Sequence, residues 1–490
     1  MSLLSSFVES DLGVIIIVYL SMFLDNVLLT VVVPIIPEHL YSQWNSNLSR
    51  ATNLSKSDQT SLLASSLVRM KQSLDNENET IGLLLSSKAI VQLFMNPVVG
   101  VLTSYIGYNL PIFFGSVLLI IVSVLFAYGE SFASLLIARS LQGTASALIS
   151  VSGMCLIADQ QHMSELRRSK VMGLIMGSVA LGVLIGYPFG GILYDLVNRP
   201  MPFIILIWAI TFNLGLQLCV LKFNPVKQVK RFKEKLQFQQ LHEENNYEIS
   251  QFNGGNWKDL LKDGYILLIT GAICITSSAM ATLEPFLPIW LIQIINPQKW
   301  QLGTVFIPDS LGYLIGTNFF GSLSYTVGRW RMAVLATLLV GISAILIPST
   351  TTMLGLVFPH FGLGLGIGVV DSALVPMLAH LVDSRHPSVH YGSVYALQQT
   401  AVSLAYFIGP VIGGKLMKTI GFAWLMRTIG ISNVCYCCLL LFLNKLSNKE
   451  TTNIVTNGKG VIDYNSTSSI PTLKIKINSS YKKLEISEED

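Results

Sequence analysis

Gly186-Tyr-Pro-Phe-Gly-Gly191 closes one apolar run of the chain, and Gly409-Pro-Val-Ile-Gly-Gly414 closes another about 220 residues later. The same interval separates Gly100-Val-Leu-Thr-Ser-Tyr-Ile-Gly107 from Gly321-Ser-Leu-Ser-Tyr-Thr-Val-Gly328. Two different motifs at one offset predict a duplicated unit. About twelve apolar runs surround them, each near the ~20 residues that cross a bilayer. Six fall at roughly 12–37, 81–103, 110–129, 132–157, 171–194 and 202–221, and six at roughly 265–292, 303–325, 331–349, 353–382, 391–413 and 421–444. Hydrocarbon offers no partner to a backbone N–H, so such runs are expected to be α-helices. The expected fold is an all-α membrane protein, with twelve transmembrane helices in two six-helix pseudo-repeats.

Composition supports this. Of 490 residues, 51% are hydrophobic and 12% charged, with a mean hydropathy of +0.57. Soluble domains carry about 25% charged residues, so this chain has too few to coat a water-exposed surface. The six cysteines, Cys155, Cys219, Cys274, Cys435, Cys437 and Cys438, all lie in apolar runs and form neither a disulfide framework nor a zinc pattern. The N-terminus lacks the basic stretch and cleavage site of a signal peptide, so the run beginning near Leu12 is expected to persist as a span.

The expected organisation is an N-terminal half (1–221), a linker loop (222–264), a C-terminal half (265–444) and a tail (445–490). Lys222, Lys227, Lys230, Arg231, Lys233 and Lys235 follow the sixth run, Arg167, Arg168 and Lys170 the fourth, and Arg329 and Arg331 the eighth. These loops share a side with both termini, and the excess of Lys and Arg predicts that this side is cytosolic. Lys415 and Lys418 run weakly against it. The first loop, 39–79, then faces the lumen, and its three Asn-x-Ser/Thr sequons at Asn47, Asn53 and Asn78 suit glycosylation there.

Five ionisable residues sit inside apolar runs: Asp25, Lys88, Arg139, Glu284 and Asp371. Each costs about 2.5–3.5 kcal/mol at a helix centre. Structural ion pairs are one explanation. The other is a site, because three acids against two bases leave a carboxylate for a cation or a proton. Burial favours the neutral acid and a bound cation favours the carboxylate, so cation and proton would compete for Asp25. Tyr313, Trp290 and Tyr406 are the aromatics expected near these acids, where they pack or form an aromatic cage for an ammonium. Glycines crowd the fifth and tenth runs, which allows close helix contact and equally suits sliding helices.

Several strings are specific. Leu24-Asp-Asn-Val-Leu-Leu-Thr-Val-Val-Val-Pro-Ile-Ile-Pro37, Ser87-Lys-Ala-Ile-Val-Gln92, Ala138-Arg-Ser-Leu-Gln-Gly143, Leu283-Glu-Pro-Phe-Leu-Pro-Ile-Trp290, Tyr313-Leu-Ile-Gly-Thr-Asn318, Val370-Asp-Ser372 and Tyr391-Gly-Ser-Val-Tyr-Ala396 closely resemble segments of the vesicular monoamine transporters, a family of major facilitator fold. The resemblance covers all twelve spans and fails mainly in the first loop, the middle loop and the tail. It implies a proton-coupled antiporter that works by alternating access and loads protonated amines (dopamine, serotonin, noradrenaline, histamine) into acidic synaptic or secretory vesicles. It implies substrate contact by Asp25, Asn26, Glu284, Tyr313 and Tyr406. It implies a polar network for protons at Lys88, Arg139 and Asp371, and Gln92 and Gln399 are expected to belong to the same network. Vesicular acetylcholine transport, or polyspecific organic cation–proton antiport, is the alternative.

Three departures stand out. The family's span-eleven aspartate is Gln399 here, within Tyr395-Ala-Leu-Gln-Gln399, so Lys88 loses an acid thought to pair with it. The family's lumenal cysteine pair is absent. Its acid–base pair after span two is replaced by Ser104-Tyr105. In the tail, Glu450-Thr-Thr-Asn-Ile454-Val455 resembles a weak sorting signal for adaptor proteins, and Glu485-Ile-Ser-Glu-Glu-Asp490 an acidic terminus. The expected partners are a small cationic amine, protons, membrane lipid and those adaptors, with no nucleic acid, cofactor or metal. No nucleophile–base set or phosphate loop points to an enzyme, and no filter-like loop points to a channel.

Overall fold

The computed structural model describes residues 11–53, 84, 86–160, 164–221, 260–295, 304–385, 391–444, 473–477 and 480–484. Six helices form the first half: α1 (Asp11–Asn53), α2 (Ser86–Ile106), α3 (Asn109–Tyr128), α4 (Phe132–Ala158), α5 (Glu165–Leu196) and α6 (Met201–Val220). Six form the second: α7 (Gly264–Ile294), α8 (Ile307–Val327), α9 (Arg329–Leu346), α10 (Met353–Arg385), α11 (391–420) and α12 (422–440). Among the described residues ten helices are long and apolar enough to cross a membrane; one of these is α11 and α12 run together across a kink at Gly421, and α8 completes the twelve. Large apolar side chains such as Trp208, Phe212, Phe319 and Phe358 point outward, as lipid-facing surfaces require.

Local chemistry sets several of the boundaries. Ser131 caps α4 by accepting from Ser134 N, Ser164 caps α5 by accepting from Arg167 N, and Asp263 caps α7 by accepting from Tyr265 N. Gly107 (φ 78°) turns the chain from α2 to α3, and Gly328 (φ 111°) turns it from α8 to α9. These glycines close the two copies of the repeated motif, and a side chain is strained at positive φ. Gly421 (φ 77°) supplies the third such turn, between α11 and α12.

Two findings differ from the expectations. The first helix does not stop near residue 37 but runs on to Asn53. No glycine or proline occurs between residues 38 and 53, so nothing there breaks it. The expected loop 39–79 therefore begins as helix, and 54–79 lies outside the described residues. Within the tail, Leu473–Ile477 pairs antiparallel with Ser480–Leu484, the only strands among the described residues. Most of the linker, 222–259, lies outside the described residues.

Packing follows the repeat. In the first half α1 lies along α5, and in the second α7 lies along α11. A Cβ at Gly186 of α5 would meet Thr30 and Val27 of α1, and one at Gly409 of α11 would meet the backbone of Ala281 in α7. α8 packs on α10, and α9 on α10 and α12. The halves meet through α5 against α8 and α2 against α11. In the first contact Ser169 Oγ donates to Gly321 O (3.2 Å), and in the second Asn96 Nδ2 donates to Ser403 Oγ (3.1 Å).

Candidate functional site

A cavity of about 330 Å³ lies between the two halves. Its wall takes polar residues from α1 (Asp25, Asn26, Thr30), α2 (Lys88, Gln92), α4 (Arg139), α5 (Tyr187), α7 (Glu284), α8 (Asp309, Ser310, Tyr313), α10 (Asp371) and α11 (Gln398, Gln399, Tyr406), among apolar neighbours such as Met176 and Val183. A few convergent polar groups on an apolar wall suit a small organic ligand.

Three of the acids are each held by a donor. Ser146 Oγ of α4 donates to Asp25 Oδ1 at 2.7 Å. Tyr187 OH donates to Glu284 Oε1 at 2.5 Å, from one half to the other. Tyr313 OH donates to Asp371 Oδ2 at 2.7 Å. Asn26 and Thr30 turn partly inward on their own helix, to Met22 O and to Asn26 O and Val27 O. The Arg139 guanidinium donates to Gln142 Oε1 (2.8 Å) and Leu29 O (3.4 Å) and so links α4 to α1.

Among the described residues neither Lys88 nor Arg139 lies within ion-pair distance of a carboxylate. The bases balance the acids through the field of the cavity and not by contact, so helix-locking ion pairs do not account for these residues. If all ionise, Asp25, Glu284, Asp309 and Asp371 outnumber Lys88 and Arg139 by two. Such a cavity attracts cations.

At one end the halves are fastened together. Arg168 of α5 pairs with Asp383 of α10 at 2.9 Å, and Tyr391 OH donates to Asp383 as well. Near the other end Tyr187 stacks on Phe306 at 5.6 Å, again from one half to the other.

All ten residues expected for substrate contact or proton handling line the cavity: Asp25, Asn26, Lys88, Gln92, Arg139, Glu284, Tyr313, Asp371, Gln399 and Tyr406. Trp290 does not. It is buried against Phe422, with ring centroids 4.9 Å apart, so it is not part of an aromatic cage. Asn47 and Asn53 fall on the extension of α1, while Asn78 and residues 450–455 lie outside the described residues. Sequence reading misses Asp309, Tyr187 and Ser146. Asp309 lies near the start of the run at 303–325, beside Pro308, so it does not stand out as a charge deep in an apolar run. A hydroxyl has no signature of its own in sequence.

Comparison with known proteins places this arrangement. The profile described as Major Facilitator Superfamily matches residues 15–410 and 310–475. The chain is 39% identical over 476 residues to the human synaptic vesicular amine transporter, covering 89% of this chain and 88% of that one. It is 36% identical over 483 residues to the rat chromaffin granule amine transporter, with the same coverage. The chain belongs to the vesicular amine transporter family. The vesicular acetylcholine transporter of Torpedo marmorata is 33% identical over 435 residues, 88% of this chain and 81% of that one. The solved structure of the human organic anion transporter MFSD10 (TETRAN) has a TM-score of 0.66 at 17% identity, over 87% of this chain and 99% of that one, and shares the fold. As a member of the vesicular amine transporter family the protein is a vesicle membrane transporter, not an enzyme.

Proposed function

We propose that the protein loads protonated monoamines of the dopamine, serotonin, noradrenaline and histamine class into acidic secretory or synaptic vesicles, in exchange for protons. The observation that carries this reading is Asp25, 3% exposed, oriented by Ser146, in a cavity whose acids outnumber its bases and pair with neither of them. A protonated amine supplies the missing charge and the N–H donors. A proton neutralises the same carboxylate, so the two ligands exclude each other there, and that exclusion couples their opposite movements. Glu284 with Tyr187, and Asp371 with Tyr313, supply the second amine contact and the proton path. Tyr406 and Asn26 shape the pocket. Both termini face the cytosol and the sequons face the lumen.

The test is uptake of labelled serotonin and dopamine into proteoliposomes loaded at acid pH, with and without a protonophore. Uptake that follows the proton gradient is expected, and uptake that survives its collapse would overturn the reading. The match to an acetylcholine transporter supports a second reading. A quaternary ammonium has no N–H to donate to Asp25, so competition by acetylcholine against serotonin separates the two.

A further inference from the structure

Asp309 enters the cavity wall from the first turn of α8 and takes no part in the donor pairs of the other three acids. It is 6% exposed, and its Oδ1 has no hydrogen-bond partner. Helix α10 leaves no room for one on that side. A Cβ at Gly364 would collide with Asp309 O and lie 2.8 Å from Asp309 Oδ1, so the oxygen rests against bare helix backbone. Of the titratable groups, Glu284 from α7, Tyr313 from α8 and Tyr406 from α11 interact with Asp309 through space, Asp371 from α10 and Tyr187 from α5 line the same cavity, and His360 of α10 packs edge-on against Phe306, three residues before Asp309. None of the hydroxyls or cations that line the cavity bonds to Oδ1; Lys88 and Arg139 sit on the helices of the other half.

A carboxylate so placed has an uncompensated charge whenever the cavity is closed to water, and a proton removes that charge. We propose that Asp309 is a second proton-exchanging carboxylate of this transporter, separate from the acid that meets the amine. The inference rests on the antiport reading above. With the cavity open to the acidic compartment, Asp309 takes a proton from hydronium and leaves water. With the cavity open to the other side, the same O–H bond breaks, the proton passes to cavity water and the carboxylate is restored. One proton crosses per cycle by this route.

The test uses full-length protein in proteoliposomes, with the membrane potential clamped at zero and a series of imposed pH differences. The logarithm of the serotonin accumulation ratio at zero net flux, plotted against the pH difference, has a slope equal to the protons exchanged per amine. Asp309→Asn is expected to lower that slope by about one, while Asp309→Glu keeps it. Serotonin counterflow at equal pH should persist in Asp309→Asn, weakened by the lost cavity charge but not abolished, because no net proton movement is needed there. An unchanged slope in Asp309→Asn overturns the inference. So does loss of counterflow in folded Asp309→Asn, which would place Asp309 in the amine site. If the Asn variant does not fold, Asp309→Ser is measured the same way and decides by the same slope. A slope of zero in the unsubstituted protein would instead refute proton antiport itself.

Discussion

Ser146 of α4 donates a 2.7 Å hydrogen bond to Oδ1 of Asp25 in α1 and fixes the one acid of the first half that lines the cavity. Asp25→Asn keeps the shape and removes the charge. Serotonin binding to the purified protein should fall by about 100-fold or more, the scale of a buried charge partner lost, while the thermal melt shows a folded protein. Normal affinity would remove Asp25 from the site. Ser146→Ala keeps the charge and loses its orientation. A hydrogen bond to a charged group is worth about 1.5–3 kcal/mol, so binding should weaken about tenfold in the same assay.

The two tyrosine–acid pairs differ in what they join. Tyr313 and Asp371 sit on α8 and α10 within one half, whereas Tyr187 of α5 and Glu284 of α7 sit on opposite halves. Tyr313→Phe leaves a buried carboxylate without its donor, which costs about 1–3 kcal/mol of stability; its melting temperature should drop by a few degrees. Tyr187→Phe removes a bond that must break if the halves rock against each other. Its maximal uptake rate should change more than its apparent affinity. Equal effects of both substitutions on rate and on melting would show that the distinction between halves has no consequence.

The contrast between what sequence shows and what it hides has a physical basis. Charge in hydrocarbon is costly wherever it occurs, so Asp25, Lys88, Arg139, Glu284 and Asp371 stand out from their apolar runs by residue type alone. Paired glycine motifs mark the repeat, because close helix contact and positive φ both demand glycine; Gly107 and Gly328 bear this out. Partner choice is different. Ser146 and Tyr187 lie 121 and 97 residues from the acids they bind, and only the helix packing brings them there. Trp290 shows the converse error, since nearness to Glu284 in sequence suggests a place beside the cavity when the helix turns it toward Phe422. Hydropathy ends α1 too early because the polar residues beyond 37 resemble a loop yet hold no helix breaker.

Gln399 stands in the cavity wall, 9% exposed, where the resemblance leads one to expect an acid. Lys88 faces the same cavity without an ion-pair partner among the described residues. Gln399→Asp adds a titratable group to the wall with only a small loss of volume. It should shift the pH dependence of serotonin uptake while changing apparent affinity by less than about threefold, a difference under 1 kcal/mol. Uptake measured across a range of lumenal pH checks this. An unchanged pH profile would show that the other acids of the cavity already carry that role.

The seam between α1 and α5 is built on glycine, and two neighbouring glycines allow a controlled comparison. A Cβ at Gly182 would lie 2.7 Å from Phe23 O and 2.8 Å from Asn26 Cβ, closer than real side chains come. A Cβ at Gly191 would meet nothing within 4 Å. Gly182→Ala must push α1 outward beside Asp25 and Asn26, and overpacking of this kind costs about 1–3 kcal/mol. Its melting temperature should fall, and serotonin affinity with it, because the displaced turn carries the binding acid. Gly191→Ala should melt and bind like the unsubstituted protein. If both variants behave alike in a thermal-shift and binding assay, contact between α1 and α5 is not what positions Asp25.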